Sequence, residues 1–285
     1  MDSKPKVALC LYGMVGQSAT WKDGIKEDLY KETPVEDVFQ FWEKHFLKQN
    51  LDIDIFIHSW SINQKEKLIQ TYKPKNFIIE KQKNFFIFFD VAKFFFESSG
   101  WKNPFLFLYN LWNSYPKEKQ LFWINRIKAA RSRWYSTARS IDLMNNYKKL
   151  NDFEYDFVVS ARLDLVLKTD LNINDLNNAY FYVANFNETP SINNNNKKDS
   201  RLNMTFEKKK FSDLIFISNP KYISLLSQID SKHLILPTSP HRSSYKIITN
   251  NIPIEDIKFY LYPWIDFETA KSFFHDWKLG GNKQN

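Results

Sequence analysis

The sequence predicts an α/β protein built on a mostly parallel, mixed sheet flanked by helices. Three observations carry this reading. Over the first eighty residues, apolar β-prone runs alternate with amphipathic helical patterns, as parallel strands joined by crossover helices require. The 285 residues are 43% hydrophobic and 17% aromatic, enough to cover both faces of a sheet. No repeat and no linker long enough to demand independent units interrupts the pattern, so residues 1–285 are expected to form a single domain.

Lys6 to Gly13 (KVALCLYG) reads as a first strand ending in glycine-punctuated YGMVGQSA. The stretch TPVEDVFQFWEKHFLKQN carries a capping box, Thr33 with Glu36, a proline at the first helical position, and Val35, Val38, Phe39, Trp42 and Phe46 at helical spacing. LDIDIFIHSW is a second strand with a polar tip, His58, Ser59 and Trp60. A short helix over Gln64 to Tyr72 and a third strand, NFIIEKQ, complete the first half. Residues 84–118, rich in phenylalanine, are expected to form a packed helical insert, since aromatics at helical spacing usually serve as core.

From Lys119 to Leu150, Ile124, Ile127, Trp134, Ile141 and Met144 recur near helical periods, giving one long helix or a kinked pair. Its other face reads Lys128, Arg131, Arg133 and Arg139, either a solvated basic surface or a phosphate-facing one. Next comes YDFVVSARLDLVL, then NAYFYVAN, a polar Asn/Lys loop over about 186–210 expected to be mobile, and FSDLIFIS. A helix opened by Asn219-Pro220, a short helix over SSYKIITNN and a last strand, IKFYLY, follow.

Composition narrows the function classes. A net charge of +8 favours anionic partners such as nucleotides, phosphorylated carriers or a membrane surface touched peripherally. No zinc finger, RNA-binding signature or basic helix with interleaved aromatics makes nucleic acid a partner. The single cysteine, Cys10, lies in an apolar strand and is read as packing, so neither disulfides nor thiolate chemistry is expected. The start, MDSKPKVALC, has neither the length nor the order of a signal peptide, and a soluble cytoplasmic chain is expected. On that reading the sequons at Asn187 and Asn203 are chance. Neither G-x-G-x-x-G nor a P-loop occurs, which leaves a dinucleotide site or a phosphoryl or sulfuryl transferase without motif support.

YDFVVSARLDLVL holds the most informative charges. Strand alternation would put Arg162 and Asp164 on one face. They are either an ion pair at a sheet edge or, with Asp164 at the carboxyl edge, an oxygen ligand for a metal that holds phosphate.

In this order, KVALCLYG, DIFIHSWS, RWYSTARSIDLMNNY, YDFVVSARLDLVL and FSDLIFIS resemble the nucleotide-sugar glycosyltransferases of the GT-A (Rossmann-like) fold found in bacterial surface-polysaccharide clusters and in large viruses or phages. The resemblance covers most of residues 6 to 262. It implies transfer of a sugar from a nucleotide-diphosphate donor to a glycan or glycoconjugate acceptor. It also implies a divalent metal, Mn²⁺ or Mg²⁺, at an Asp-x-Asp motif, which here reads Arg162-Leu163-Asp164. Either Asp164 alone reaches the metal or Arg162 supplies part of its charge. His241 is carried over as a further metal ligand.

Asp213 is the candidate base for the acceptor hydroxyl, or else a strand-start residue bonding its own backbone. Tyr12, Gly13, His58, Ser59 and Trp60 are candidate donor contacts at strand ends, with Trp60 either touching the base or packing under a loop. Arg131 and Tyr135 are candidates for phosphate or ribose. A GT-A-like module that binds nucleotide or glycan without turnover is the alternative.

Overall fold

The structure, a computed structural model, describes residues 4–15, 20–22, 25–27, 34–99, 117–184, 210–263 and 265–270. Thr33 of the expected capping box, both sequons and nearly all of the expected mobile loop lie outside them.

The chain enters the sheet at β1 (Lys6–Gly13), whose residues Val7 to Tyr12 are all buried. A strand covered on both faces reads as a continuous apolar run, as this one does. β2 (Thr20–Lys22) and β3 (Ile25–Glu27) pair as a short antiparallel ribbon. α1 (Val35–Trp42) begins one residue later than expected, with Pro34 at its N-cap, and buries Val35, Val38 and Trp42. A π-helical turn, Glu43–Leu47, prolongs it and leads into β4 (Asp52–Ser59). α2 (Lys65–Tyr72) ends where Lys73 turns left-handed at φ 46°, and β5 (Asn76–Ile79) follows.

α3 (Phe88–Ser99) is the described part of the aromatic insert. Its entry departs from the expected packed core: Phe86, Phe88 and Phe89 are 78%, 65% and 59% exposed, while Ile87 and Asp90 face inward. The inward position of that first turn belongs to a carboxylate facing Arg131 and His233, which leaves the adjacent rings outside. α4 (Lys117–Leu150) is a single helix of 34 residues rather than a kinked pair, roughly 50 Å long at 1.5 Å per residue.

The run YDFVVSARLDLVL, expected as one strand, is two. β6 (Phe157–Arg162) stops at the arginine, Leu163 and Asp164 turn, and β7 (Leu165–Leu167) leaves the main sheet to pair antiparallel with β11 (Phe267–Thr269). Apolar alternation runs through the break without Gly or Pro, which hides it from the sequence. β8 (Phe181–Ala184) and β9 (Ser212–Ser218) precede α5 (Pro220–Ser231). That helix opens as its Asn-Pro start implies, Asn219 Oδ1 accepting the Tyr222 amide at 2.9 Å. α6 (Pro240–Thr249) begins three residues before the expected SSYKIITNN helix, and β10 (Ile257–Leu261) closes the sheet.

The main sheet has seven strands in the order β10-β8-β9-β6-β1-β4-β5. β9 runs antiparallel to both its neighbours, and the other pairs are parallel. This is the α/β, mostly parallel mixed sheet that the sequence predicts. Val7, Leu9, Leu11 and Val159 pack one face against Val35, Val38, Trp42 and Leu68 of α1 and α2. Ala8, Cys10, Phe56 and Val158 pack the other against Trp134, Ile141 and Met144 of α4 and Ile223 and Leu226 of α5. No helix among the described residues is long and apolar enough to cross a membrane.

Candidate functional site

From β1 the chain builds outward to β4 and β5 on one side, then returns to place β6 on the other side of β1. Such a reversal opens a crevice outside the carboxyl ends of the two strands. Tyr12 and Gly13 form one lip, and Arg162, Leu163 and Asp164 the other. Leu163 N donates to Tyr12 O at 2.8 Å and ties the lips together. Because β9 is antiparallel, its first residues, Ser212 and Asp213, arrive at the same edge as the ends of its neighbours.

Arg162 donates from Nε and Nη2 to Asp164 Oδ1 and Oδ2 at 2.7 and 2.5 Å, a bidentate charge-assisted pair. Tyr12 Oη donates to the Asp213 carbonyl at 2.7 Å, and burial pushes its phenol up to about 12, so the ring stays neutral. Asp213 is ion-paired with Arg133 of α4, and its Oδ1 lies 3.1 Å from His241 Nδ1. Burial, followed by the field of Arg162, brings Arg133 down to about 10. Burial, then Arg133, brings His241 down to about 4, so its imidazole is neutral near pH 7.

The layering of these charges decides what can enter. The Asp213 and Asp164 side chains are 1% and 9% exposed, whereas those of Arg133, Arg162 and His241 are 26%, 25% and 27% exposed. The acids are the buried members of these pairs, and the arginines and the imidazole are the more exposed ones. A divalent cation at Asp164 would have to displace a two-point guanidinium and then sit beside Arg162 and Arg133. His241 turns its Nδ1 to Asp213 and to the Phe211 carbonyl at 3.1 Å. As arranged, the donor set does not fit a resident divalent cation.

Gly13 has φ 103°, a region that residues with a Cβ rarely adopt. A Cβ there would meet nothing within 4 Å among the described residues. Its amide donates to Ser136 Oγ at 2.9 Å, and Ser136 Oγ lies 2.7 Å from His58 Nδ1. His58 Nε2 is 3.2 Å from Glu80 Oε1, and burial holds the ring down to about 4 despite that carboxylate. The neutral tautomer consistent with both contacts accepts from Ser136 at Nδ1 and donates to Glu80 from Nε2.

Of the expected site residues, the structure brings together Tyr12, Gly13, Arg162, Asp164, Asp213 and His241. His58, Ser59 and Trp60 reach the same edge but are 0%, 0% and 5% exposed, so they support the lip from below. Trp60 stacks on Tyr135 at 5.5 Å and 23°, with His58 edge-on at 4.7 Å. Tyr135 also accepts from Lys83. Arg131 turns away from the crevice to Asp230, whose carbonyl accepts from Nη1 at 3.0 Å, and to Asp90 Oδ2 at 4.0 Å. Arg131 is thus engaged by acids of other helices, and Tyr135 stands beside His58 and Trp60 at the end of β4.

Sequence reasoning passed over Ser136 and Glu80 and left Arg133 undecided. A signal for the serine existed. Ser132, Ser136, Thr137 and Ser140 recur near helical spacing and are all buried, a small hydroxyl stripe where α4 passes close to the strand ends. Arg133 follows the same logic, lying one turn before Thr137 on the face that meets Tyr12 and Asp213. Neither a protein-family model nor a curated protein matches this chain.

Proposed function

We propose that this chain is a glycosyltransferase that moves a sugar from a nucleotide-diphosphate donor to a glycan or glycoconjugate acceptor. The observation that carries the reading is the pair of partly exposed arginines, Arg133 and Arg162, at the strand ends where the strand order reverses. Sugar transfer builds negative charge on the departing diphosphate, and fixed cations at that point stabilise the transition state more than the ground state. The ordered sequence resemblance supports the same reading.

The acceptor's proton is assigned to the Asp213–His241 pair. Asp213 is too buried to touch an acceptor, so the more exposed imidazole takes the proton and the carboxylate behind it steadies the cation that forms. The engagement of both carboxylates by cations favours a second reading, a module that binds the nucleotide without turning it over.

The test is incubation of the full chain with UDP-, GDP-, CMP- and dTDP-sugars and a panel of glycan acceptors, with release of free nucleotide and acceptor mass as readouts. Release coupled to a mass gain of one sugar supports the transferase. Thermal stabilisation by a donor with no release on any acceptor supports the binding module. Neither stabilisation nor release contradicts both.

A further inference from the structure

We propose that Arg133 and Arg162 bind the donor's diphosphate directly, as guanidinium ligands in place of a divalent cation, with Asp164 and Asp213 as positioning residues beneath them. The inference rests on the nucleotide-sugar reading for the identity of the ligand, but the site itself is argued from the charges in the crevice.

The first ground is the vertical order of those charges. A metal site presents carboxylate oxygens to its ion. Here Asp164 gives both oxygens to the Arg162 guanidinium and Asp213 pairs with Arg133, and in each pair the arginine side chain is the more exposed member. An arriving dianion meets N–H donors first.

The second ground is preorganisation. Arg162 has five N–H donors and spends two on Asp164, which leaves three that those bonds do not use. The bidentate pair fixes the guanidinium plane before a ligand arrives, removing the rotamer cost that a loose arginine meets on binding.

The third ground is the closeness of like charges. Arg162 acts on Arg133 as a like charge, so two guanidiniums share one site above Asp164 and Asp213. Guanidiniums held close together repel, and an anion bound between them relieves it. At the adjoining lip Gly13 has no side chain, and no described residue lies within 4 Å of where a Cβ would stand, so none of these blocks a phosphate from the backbone.

The experiment is isothermal titration of the metal-stripped full chain in excess EDTA, and again with Mn²⁺, using inorganic pyrophosphate, UDP, GDP and dTDP as probes. The expected result is binding of pyrophosphate and at least one nucleoside diphosphate in EDTA, with affinity unchanged within about twofold by Mn²⁺.

Arg162→Gln is expected to weaken pyrophosphate binding tenfold or more. Because that variant strands a buried carboxylate and can unfold, the double variant Arg162→Gln/Asp164→Asn is measured beside it and should show the same loss. Asp164→Asn alone keeps the arginine's charge and should retain pyrophosphate binding in EDTA. Its Arg162 Nε–H resonance, which the bond to Asp164 should protect in the native chain, is expected to be lost to solvent exchange.

Binding that appears only with Mn²⁺ and disappears in Asp164→Asn overturns the inference while leaving the nucleotide-sugar reading in place. Pyrophosphate binding in EDTA without binding of any nucleoside diphosphate supports the anion site and overturns that reading. No binding of either probe overturns both.

Discussion

Ser136 Oγ stands 2.7 Å from His58 Nδ1 and accepts the Gly13 amide at 2.9 Å, so one hydroxyl of α4 joins the tips of β1 and β4. The strand ends are held from beneath by a helix that packs along the sheet. Replacing Ser136 by Ala leaves a backbone donor and a buried imidazole nitrogen without this partner. An unmet buried polar group costs about 1–3 kcal/mol. Denaturant titration of Ser136→Ala should show a loss of that size with an unchanged m-value, and no loss would mean that the tips hold without the hydroxyl.

Stability should fall as the pH drops from 6.5 toward 4. His58 and His241 are both lowered from 6.5 to about 4, chiefly by burial. Between those values the unfolded chain binds protons that the folded chain refuses, so the stabilisation is complete above 6.5 and is lost on acidification. At about 1.4 kcal/mol per unit, and after discounting for partial exposure, the loss by pH 4.5 is on the order of 3 kcal/mol. Thermal melts across this range check the slope, and His58→Gln should flatten it. A melting temperature constant from pH 7 to pH 4.5 would show that the two rings protonate freely in the folded state.

The Arg133–Asp213 pair lends itself to a double-mutant cycle. Asp213 is 1% exposed, so Arg133→Gln strands a buried carboxylate. Breaking such a pair from one side costs about 3–5 kcal/mol, whereas removing both charges is far milder. Arg133→Gln/Asp213→Asn should therefore be more stable than Arg133→Gln in urea unfolding. Strict additivity of the two single variants would mean that the charges do not interact.

Cys10 is fully buried in β1, and burial raises its thiol well above the usual range. Its alkylation by iodoacetamide should be negligible in the native chain and quantitative in denaturant. Fast native labelling would place β1 somewhere other than the middle of the sheet.

Much of this site was legible from the residues, because the strongest local patterns are those that position it. KVALCLYG and LDIDIFIHSW announce two buried strands, and their ends supply Tyr12, Gly13 and His58. What stayed hidden was set by tertiary contacts. The direction of β9 leaves no mark in FSDLIFIS, yet it brings Asp213 to the carboxyl edge of the parallel strands. The halt at Arg162 leaves none in RLDLVL, since β7 is drawn away by pairing with β11, more than ninety residues later. Alternation did put Arg162 and Asp164 in reach of each other, but only their 2.7 and 2.5 Å contacts decide between ion pair and open ligand. The basic face of α4 was equally undecided, and it divides: Arg131 goes to Asp230, Arg133 to Asp213.

The most direct measurement is a crystal structure of the chain soaked with a nucleoside diphosphate in the presence of EDTA. Diphosphate density between the ends of β1 and β6, within hydrogen-bond reach of the Arg162 and Arg133 guanidiniums, is the expected result. Phosphates lodged elsewhere, for instance against the small pocket lined by Asp90, Arg131, Trp134 and His233, with both arginines still bound only to their carboxylates, would contradict it.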